Sequence, residues 1–457
     1  MSALCNDIIM TAINSFVDVR ALCDTSNAFT PFRKVLQYKL NRYYSNQFYG
    51  NDMFRNYVLS RVNDSRKQVC VKYAEYMYIE DVTALTNLHS VYLRGCYEIN
   101  AMTDLRPLGN SHTLDISDCS VRDVSALANV SVLNLSFCTK IADIRPLSNV
   151  RKLILNGCKQ LTDVSVLKNV FHLELNDCVN ISDVSALGNV KHLFLNNCAK
   201  ITDISCLSNV HEISLVGCTG ITDVSALSNA KKVDLSKCKG VTDVSALRNA
   251  IHLNLTSCVN ITDVSALKNV YCLNLHGCLA LTDVNMLTNV HTLSLHSCTK
   301  IEDISGLVNT HSLDIGMCRR IRHLRGLDKL RLFYAYECVL LEDVSSLKNA
   351  TYISITRCPN ITDVSMLGNV RTLHLKACKN VEDVSALGRV HTLNISFCDK
   401  IIDICALSSV KELDITGCTS IGEVDFLRKV PKLLKTQSRS ILSGIHSEFL
   451  HYVNYHL

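Results

Sequence analysis

The chain has 457 residues, 47% hydrophobic and 19% charged, with Lys+Arg at 47 against Asp+Glu at 42, a net charge of +5. This composition excludes a disordered chain, and the charge is too mild for a dedicated nucleic-acid binder. No apolar run reaches the ~18 residues that span a bilayer, and MSALCNDIIMTAINSF lacks the basic start and cleavage-like end of a signal peptide. No membrane association is expected, and the protein is expected to be intracellular, in the cytoplasm with the nucleus also open, where thiols stay reduced.

Residues 1–78 differ from the rest and hold half of the 16 tyrosines. Leu4, Ile8, Ile9, Ala12, Ile13 and Phe16 fall at helical spacing, and VDVRALCDTSNAF offers a second short helix. PFRKVLQYKLNRYY offers a third, opened by Pro31 in its first turn. A small α-helical module is expected here.

From residue 79 to 425 the sequence repeats, with a period of 20 from residue 123 onward. Cysteines recur at Cys138, Cys158, Cys178 and every twentieth residue to Cys418, after earlier members at Cys96 and Cys119; they make up 17 of the 23. One unit, LTDVSVLKNVFHLELNDCVN at 161–180, places apolar residues at Leu161, Val164, Leu167, Val170, Leu173 and Leu175, then Cys178. This matches neither a heptad nor simple alternation. Leu173 and Leu175 are expected to point inward from a strand and Glu174 outward. About 17 such turns, stacked about 4.8 Å apart, give a rod roughly 80 Å long. Too little chain remains per turn for a full helix, so a short 3-10 or single-turn helix is expected over D-V-S-A-L. The final stretch, 426–457, ends SRSILSGIHSEFLHYVNYHL and reads as a helical cap.

These units resemble cysteine-containing leucine-rich repeats, whose C-x-x-[IL]-T-D signature reads CTGITD at 218–223, CVNITD at 258–263 and CPNITD at 358–363. The same signature occurs in F-box/leucine-rich-repeat proteins, while the short D-V-S-A-L turn is similar to the repeats of bacterial internalins. The implied fold is an α/β leucine-rich-repeat solenoid, a parallel β-sheet with short convex turns. The N-terminal residues Leu4, Asp7, Ile8, Ile9, Ile13, Phe16 and Leu22 occupy places similar to those of an F-box, with Cys5 where that pattern has proline. An F-box implies docking to the adaptor subunit of a cullin–RING ubiquitin ligase. The other reading of the same helices is a cap that shields the first turn.

The recurring polar residues suit structure better than chemistry. A cysteine ladder without C-x-x-C spacing fits buried thiols at a corner rather than zinc ligands or disulfides. The column Asp81, Asp104, Asp123, Asp143 and onward to Asp403 supplies one carboxylate per turn, which suits a cap on each short turn better than a calcium ladder. Asn129, Asn149, Asn169 and Asn189 read as corner residues whose amides satisfy backbone groups. His276, His291, His296 and Cys272 come nearest to a metal cluster, but outward strand positions accommodate histidine readily, and no metal or cofactor is expected. No nucleotide-binding, zinc-protease, hydrolase or kinase motif occurs, so no enzyme is expected.

Outward strand residues are free to encode a partner: Tyr92, Asp115, Asn134, Ile154, Glu174, Phe194, Ser214 and so on through Asn274, Ser294, Asp314 and Tyr334 to Asp414. One unit breaks the pattern. RRIRHLRGLDKLRLFYAYEC, 319–338, replaces the capping Asp by His323 and holds six basic side chains against two acidic ones. Arg and Tyr are enriched at binding hot spots. The target-binding candidates are therefore Phe194, Arg319, Arg320, Arg322, Arg325, Arg331, Tyr334 and Tyr336. The expected function is protein–protein interaction, as an F-box-like substrate adaptor holding a protein target on the concave face. The alternative is a leucine-rich scaffold or inhibitor whose N-terminal helices only cap the array.

Overall fold

The computed structural model describes residues 103–422 without interruption, together with 36–40, 67–72, 81–86, 88–96, 99, 427 and 430–435. In the turn at 161–180, Leu173 and Leu175 are fully buried and Glu174 between them is partly exposed, as the period of two requires. No turn can bury these leucines alone. Each lies in register with its counterpart one turn away, Leu173 beside Leu153 and Leu193, so the core is a stack and not a globule.

Among the described residues, twenty strands form one sheet. They begin with β1 (Leu36–Leu40), β2 (Lys67–Lys72), β3 (Ser90–Tyr92), β4 (Thr113–Asp115) and β5 (Val132–Asn134). Next come β6 (Lys152–Ile154), β7 (His172–Glu174), β8 (His192–Phe194), β9 (Glu212–Ser214), β10 (Lys232–Asp234) and β11 (His252–Asn254). Then follow β12 (Cys272–Asn274), β13 (Thr292–Ser294), β14 (Ser312–Asp314), β15 (Leu332–Tyr336), β16 (Tyr352–Thr356) and β17 (Thr372–Lys376). The series closes with β18 (Thr392–Asn394), β19 (Glu412–Asp414) and β20 (Lys432–Leu434). Neighbours in the chain are neighbours in space and every pairing is parallel, as in β1–β2, β2–β3, β8–β9 and β19–β20.

Between strands the chain returns through short 3-10 turns such as Ser165–Leu167 and Ser245–Asn249. The aspartate column starts them. Asp163, Asp183, Asp243 and Asp263 each accept the N–H two residues on at 2.8 Å, the capping role expected of this column. At the next corner, the Asn229 and Asn249 amides donate to the carbonyls of Ser208 and Ser228 on the preceding turn.

The ladder thiols are free, and most are fully buried. From Cys119 onward each donates to a carbonyl of the preceding turn, Cys218 to Leu195 at 3.0 Å and Cys258 to Leu235 at 3.1 Å. Burial pushes the Cys258 thiol up to about 12, which favours the protonated form that donates to the Leu235 carbonyl. The residue before each ladder cysteine is left-handed. Five are glycines, from Gly95 to Gly417, and twelve are not, with φ between 52° at Glu337 and 64° at Lys237. That conformation aims the next side chain into the core, at a steric cost for every non-glycine there.

The ends of the array differ from expectation. Leu36–Leu40 lies inside the stretch read as a helix from Pro31, yet it is a strand, and Lys67–Lys72 is another within the module expected to be helical. LQYKL alternates at period two and KQVCVK carries two valines, both strand signals that the helical reading overlooked. The sheet also runs past residue 425 to Leu434. The helices read within residues 1–29, including the F-box-like positions, and the stretch 438–457 lie outside the described residues.

Candidate binding face

The sheet forms one face, and its outward side chains are not uniform. Between β12 and β14 the floor is made of short residues. Cys272, Asn274, Thr292, Ser294, Ser312 and Asp314 are all buried, although Asn274, Ser294 and Asp314 are among the outward positions expected to be open, and Ser214 on β9 is buried too. Taller neighbours explain it. On one side Tyr271, His291 and His311 stack in series with ring centroids 4.6 and 4.4 Å apart. On the other, His276 and His296 stack at 4.7 Å, and the His296 ring lies so close over Gly316 that a Cβ there would come within 2.4 Å of it. Short, buried side chains thus lie between two rows of stacked rings.

Further rings follow on β15 and β16. Tyr334 lies 5.3 Å from Tyr352, which meets His374 edge-on at 5.5 Å. Arg357 reaches back to donate to the Tyr336 hydroxyl at 2.9 Å and to Glu337 at 3.1 Å, with its guanidinium 5.8 Å from the Tyr336 ring. The neighbouring tyrosine hydroxyl and Arg357 hold Glu337 ionised below its usual value. Here the three-residue strands give way to five-residue ones, β15 to β17. The thiol contacts lengthen with them, to 4.0 Å at Cys358 and 3.8 Å at Cys378.

A second cluster sits on β6 to β9. Arg151 lies over the Phe171 ring at 5.5 Å, His172 packs 5.3 Å from Phe194, and His192 stacks on His172 at 5.7 Å. Glu174 and Glu212 hold these imidazoles, His172 at 2.9 Å and His192 at 2.8 Å. Phe171, Lys191, His192 and His211 line a shallow cleft at the edge of this cluster.

The residues singled out from sequence divide accordingly. Phe194, Tyr334 and Tyr336 lie on the sheet, in the two clusters, and Arg331 leads into β15. Arg322 and Arg325 flank the buried Ile321 and Leu324 on the return path, away from the strand positions of Tyr334 and Tyr336. Arg319, Arg320 and Arg322 pair with Glu337, Glu302 and Glu342 on neighbouring turns, so they tie the solenoid together. Leu4, Asp7, Ile8, Ile9, Ile13, Phe16 and Leu22 lie outside the described residues.

Arg357 and the two ring walls were missed. So was the column immediately before each strand. Across β3 to β19 it reads His89, His112, Ser131, Arg151, Phe171, Lys191, His211, Lys231, Ile251, Tyr271, His291, His311, Arg331, Thr351, Arg371, His391 and Lys411, all exposed or partly so and none acidic. Aligning the units one position before the strand would have revealed it.

No family model and no curated protein sequence matches the chain. The fold is similar to several solved structures. The functional domain of InlJ from Listeria monocytogenes, described as including a cysteine ladder, shares 20% identity at a TM-score of 0.43, covering 73% of this chain and 75% of that one. A leucine-rich-repeat protein of Leptospira interrogans shares 18% at 0.45, covering 64% and 85%. A TLR13–ssRNA13 complex shares 16% at 0.48, covering 84% and 72%. These likenesses concern the path of the chain and lend nothing to the F-box resemblance.

Proposed function

We propose that the chain is a leucine-rich-repeat scaffold that holds a protein partner against its concave sheet and carries out no chemistry of its own. The observation that supports this is the ring array: rings at Tyr271, His291, His311, Tyr334 and Tyr352 gather on and beside strands whose other outward side chains are short. The buried leucines, cysteines and capping aspartates account for the solenoid without them. Rings carried on a rigid sheet lose little freedom on binding, which suits them as anchors. The test is affinity capture with the full chain against a Tyr334→Ala/Tyr336→Ala variant, with Arg322→Ala/Arg325→Ala as the comparison. Partners captured by the unaltered chain and by the arginine variant should be lost from the tyrosine variant. An unchanged set of partners would sink the proposal.

A ubiquitin-ligase adaptor role rests on residues 4–29 alone, and none of the described residues adds to it. Removing residues 1–30, which spares β1, separates the two readings. A scaffold keeps its target after the deletion, whereas an F-box-like adaptor keeps its target and loses the ligase subunit.

A further inference from the structure

We infer that the edge formed by the residues leading into each strand is a docking rail for an acidic segment of a partner protein, laid lengthwise along the solenoid. The inference rests on the concave-face reading and names the partner's chemistry.

Twelve of the 17 positions in this column are Lys, Arg or His, against 63 of 457 in the whole chain, where Lys+Arg number 47 and His 16. Six of the twelve are Lys or Arg, six are His, which is neutral at pH 7, and the other five positions are Ser, Phe, Ile, Tyr and Thr. The capping aspartates behave in the opposite way, because a fixed bond geometry needs one residue type. A column in which Lys and Arg recur and Asp and Glu never stand is held to an electrostatic character and not to a shape.

The backbone spaces these charges regularly. The N–H of Phe171 donates to the Arg151 carbonyl at 3.0 Å, Lys191 to Phe171 at 3.1 Å, His211 to Lys191 at 2.9 Å and Lys231 to His211 at 2.8 Å. The column therefore follows the strand spacing of about 4.8 Å, and cations two turns apart sit within about a Debye length of each other.

The charges are also left uncancelled. Among the described residues no side chain of this column makes a salt bridge, whereas the arginines of the return path do. Lys191 and Lys231 donate instead to the neutral carbonyls of Asn209 and Asn249, at 3.1 and 3.3 Å, and Arg331 donates to that of Asn349. These bonds orient the cations without neutralising them. Lys and Arg spaced along one edge set up a positive potential that attracts an anionic segment.

The sheet itself selects among anions. Glu174, Glu212, Asp234, Asp314, Glu412 and Asp414 lie on the strands beside the rail. A nucleic acid carries a negative charge at every residue and would meet those carboxylates. A protein segment can place acids on the rail and neutral or basic residues over the sheet, which fits both columns.

The experiment uses the full chain, fluorescent poly-L-glutamate and oligouridylate as probes, and anisotropy titrations at about 50 and about 300 mM salt. The rail variant is Lys191→Ser/Lys231→Ser/Arg331→Ser/Arg371→Ser. A control, Lys140→Ser/Lys159→Ser/Lys200→Ser/Lys300→Ser, removes the same charge from the opposite corners. Polyglutamate should bind in a salt-sensitive way, with roughly tenfold loss in the rail variant and less than about twofold in the control. Equal losses in both variants, or no polyglutamate binding, overturn the rail. Tighter, rail-dependent binding of oligouridylate overturns the choice of an acidic protein. If polyglutamate binding needs the rail while Tyr334→Ala/Tyr336→Ala captures every natural partner, the rail stands and the ring-array reading fails.

Discussion

The return wall and the concave wall of this solenoid are made by the same chain at the same period, yet they obey different rules. On the return wall the residue type is nearly constant, with Leu at every turn, Asp at every turn up to Asp403 but that of His323 and Ser at most of them, because each fills one geometric role. Asp243 accepts the Ser245 N–H at 2.8 Å, and Leu247 is fully buried. On the concave wall the corresponding residues vary freely, and what persists is a property such as ring, shortness or positive charge. Identity is fixed where the backbone needs a particular atom, and character is fixed where a surface needs a particular field.

The sharpest break in this comparison comes from the shared core. Leu253→Ala, at a fully buried position, should cost about 2–5 kcal/mol in denaturant unfolding. An effect below about 1 kcal/mol would mean that neighbouring turns refill the gap and that the stack is looser than its burial implies.

Next in size is the loss of caps. Asp163→Ala/Asp243→Ala/Asp383→Ala should lower the thermal midpoint clearly, while four substitutions on the rail should not. Acid provides a second reading. Backbone N–H groups hold Asp163, Asp243 and Asp383 below the usual carboxylate value, and Asp143, bonded first by the Arg145 guanidinium, falls to about 2. A depressed folded pKa stabilises above the unfolded value of about 3.9 and loses that contribution as pH falls through the folded value. The midpoint should therefore hold from neutrality down to about pH 5 and fall from about pH 4 toward 2, less steeply in the capless variant.

Smaller effects belong to the left-handed corner. Gly217→Ala, at φ +73° with the new Cβ 2.7 Å from Asn197 Oδ1, should destabilise by about 1–2 kcal/mol. Ala377→Gly, at φ 55°, should stabilise by up to about 1 kcal/mol in the same assay. Smallest of all, the quadruple rail variant should leave unfolding within about 0.5 kcal/mol of the parent. A large loss there would make the basic column structural and erase the contrast between the walls.

Much of this was legible beforehand. Leu173, Leu175 and Cys178 fall at a period that only stacked turns can bury, and Asp163 stands where a short turn begins. What stayed hidden was lateral. Ser294 and Asp314 lie in outward strand positions, yet they are buried because imidazoles two or three residues away in sequence rise beside them. Arg325 and Tyr334 are nine residues apart in one basic, aromatic unit. They read as one patch, but the turn between them carries the arginine to the return wall. Leu36–Leu40 escaped because five residues fit two periodicities at once, and a neighbouring strand decides which one pays.

The sequence by itself determined the repeat, the inward leucines, the thiol ladder and the capping role of aspartate, because all of these depend on spacing along one turn. Tertiary structure decided which outward residues are reachable, where the rings gather and which cations remain uncancelled. Those properties belong to contacts between turns, 18 to 23 residues apart in the chain, and they exist only once the stack has formed.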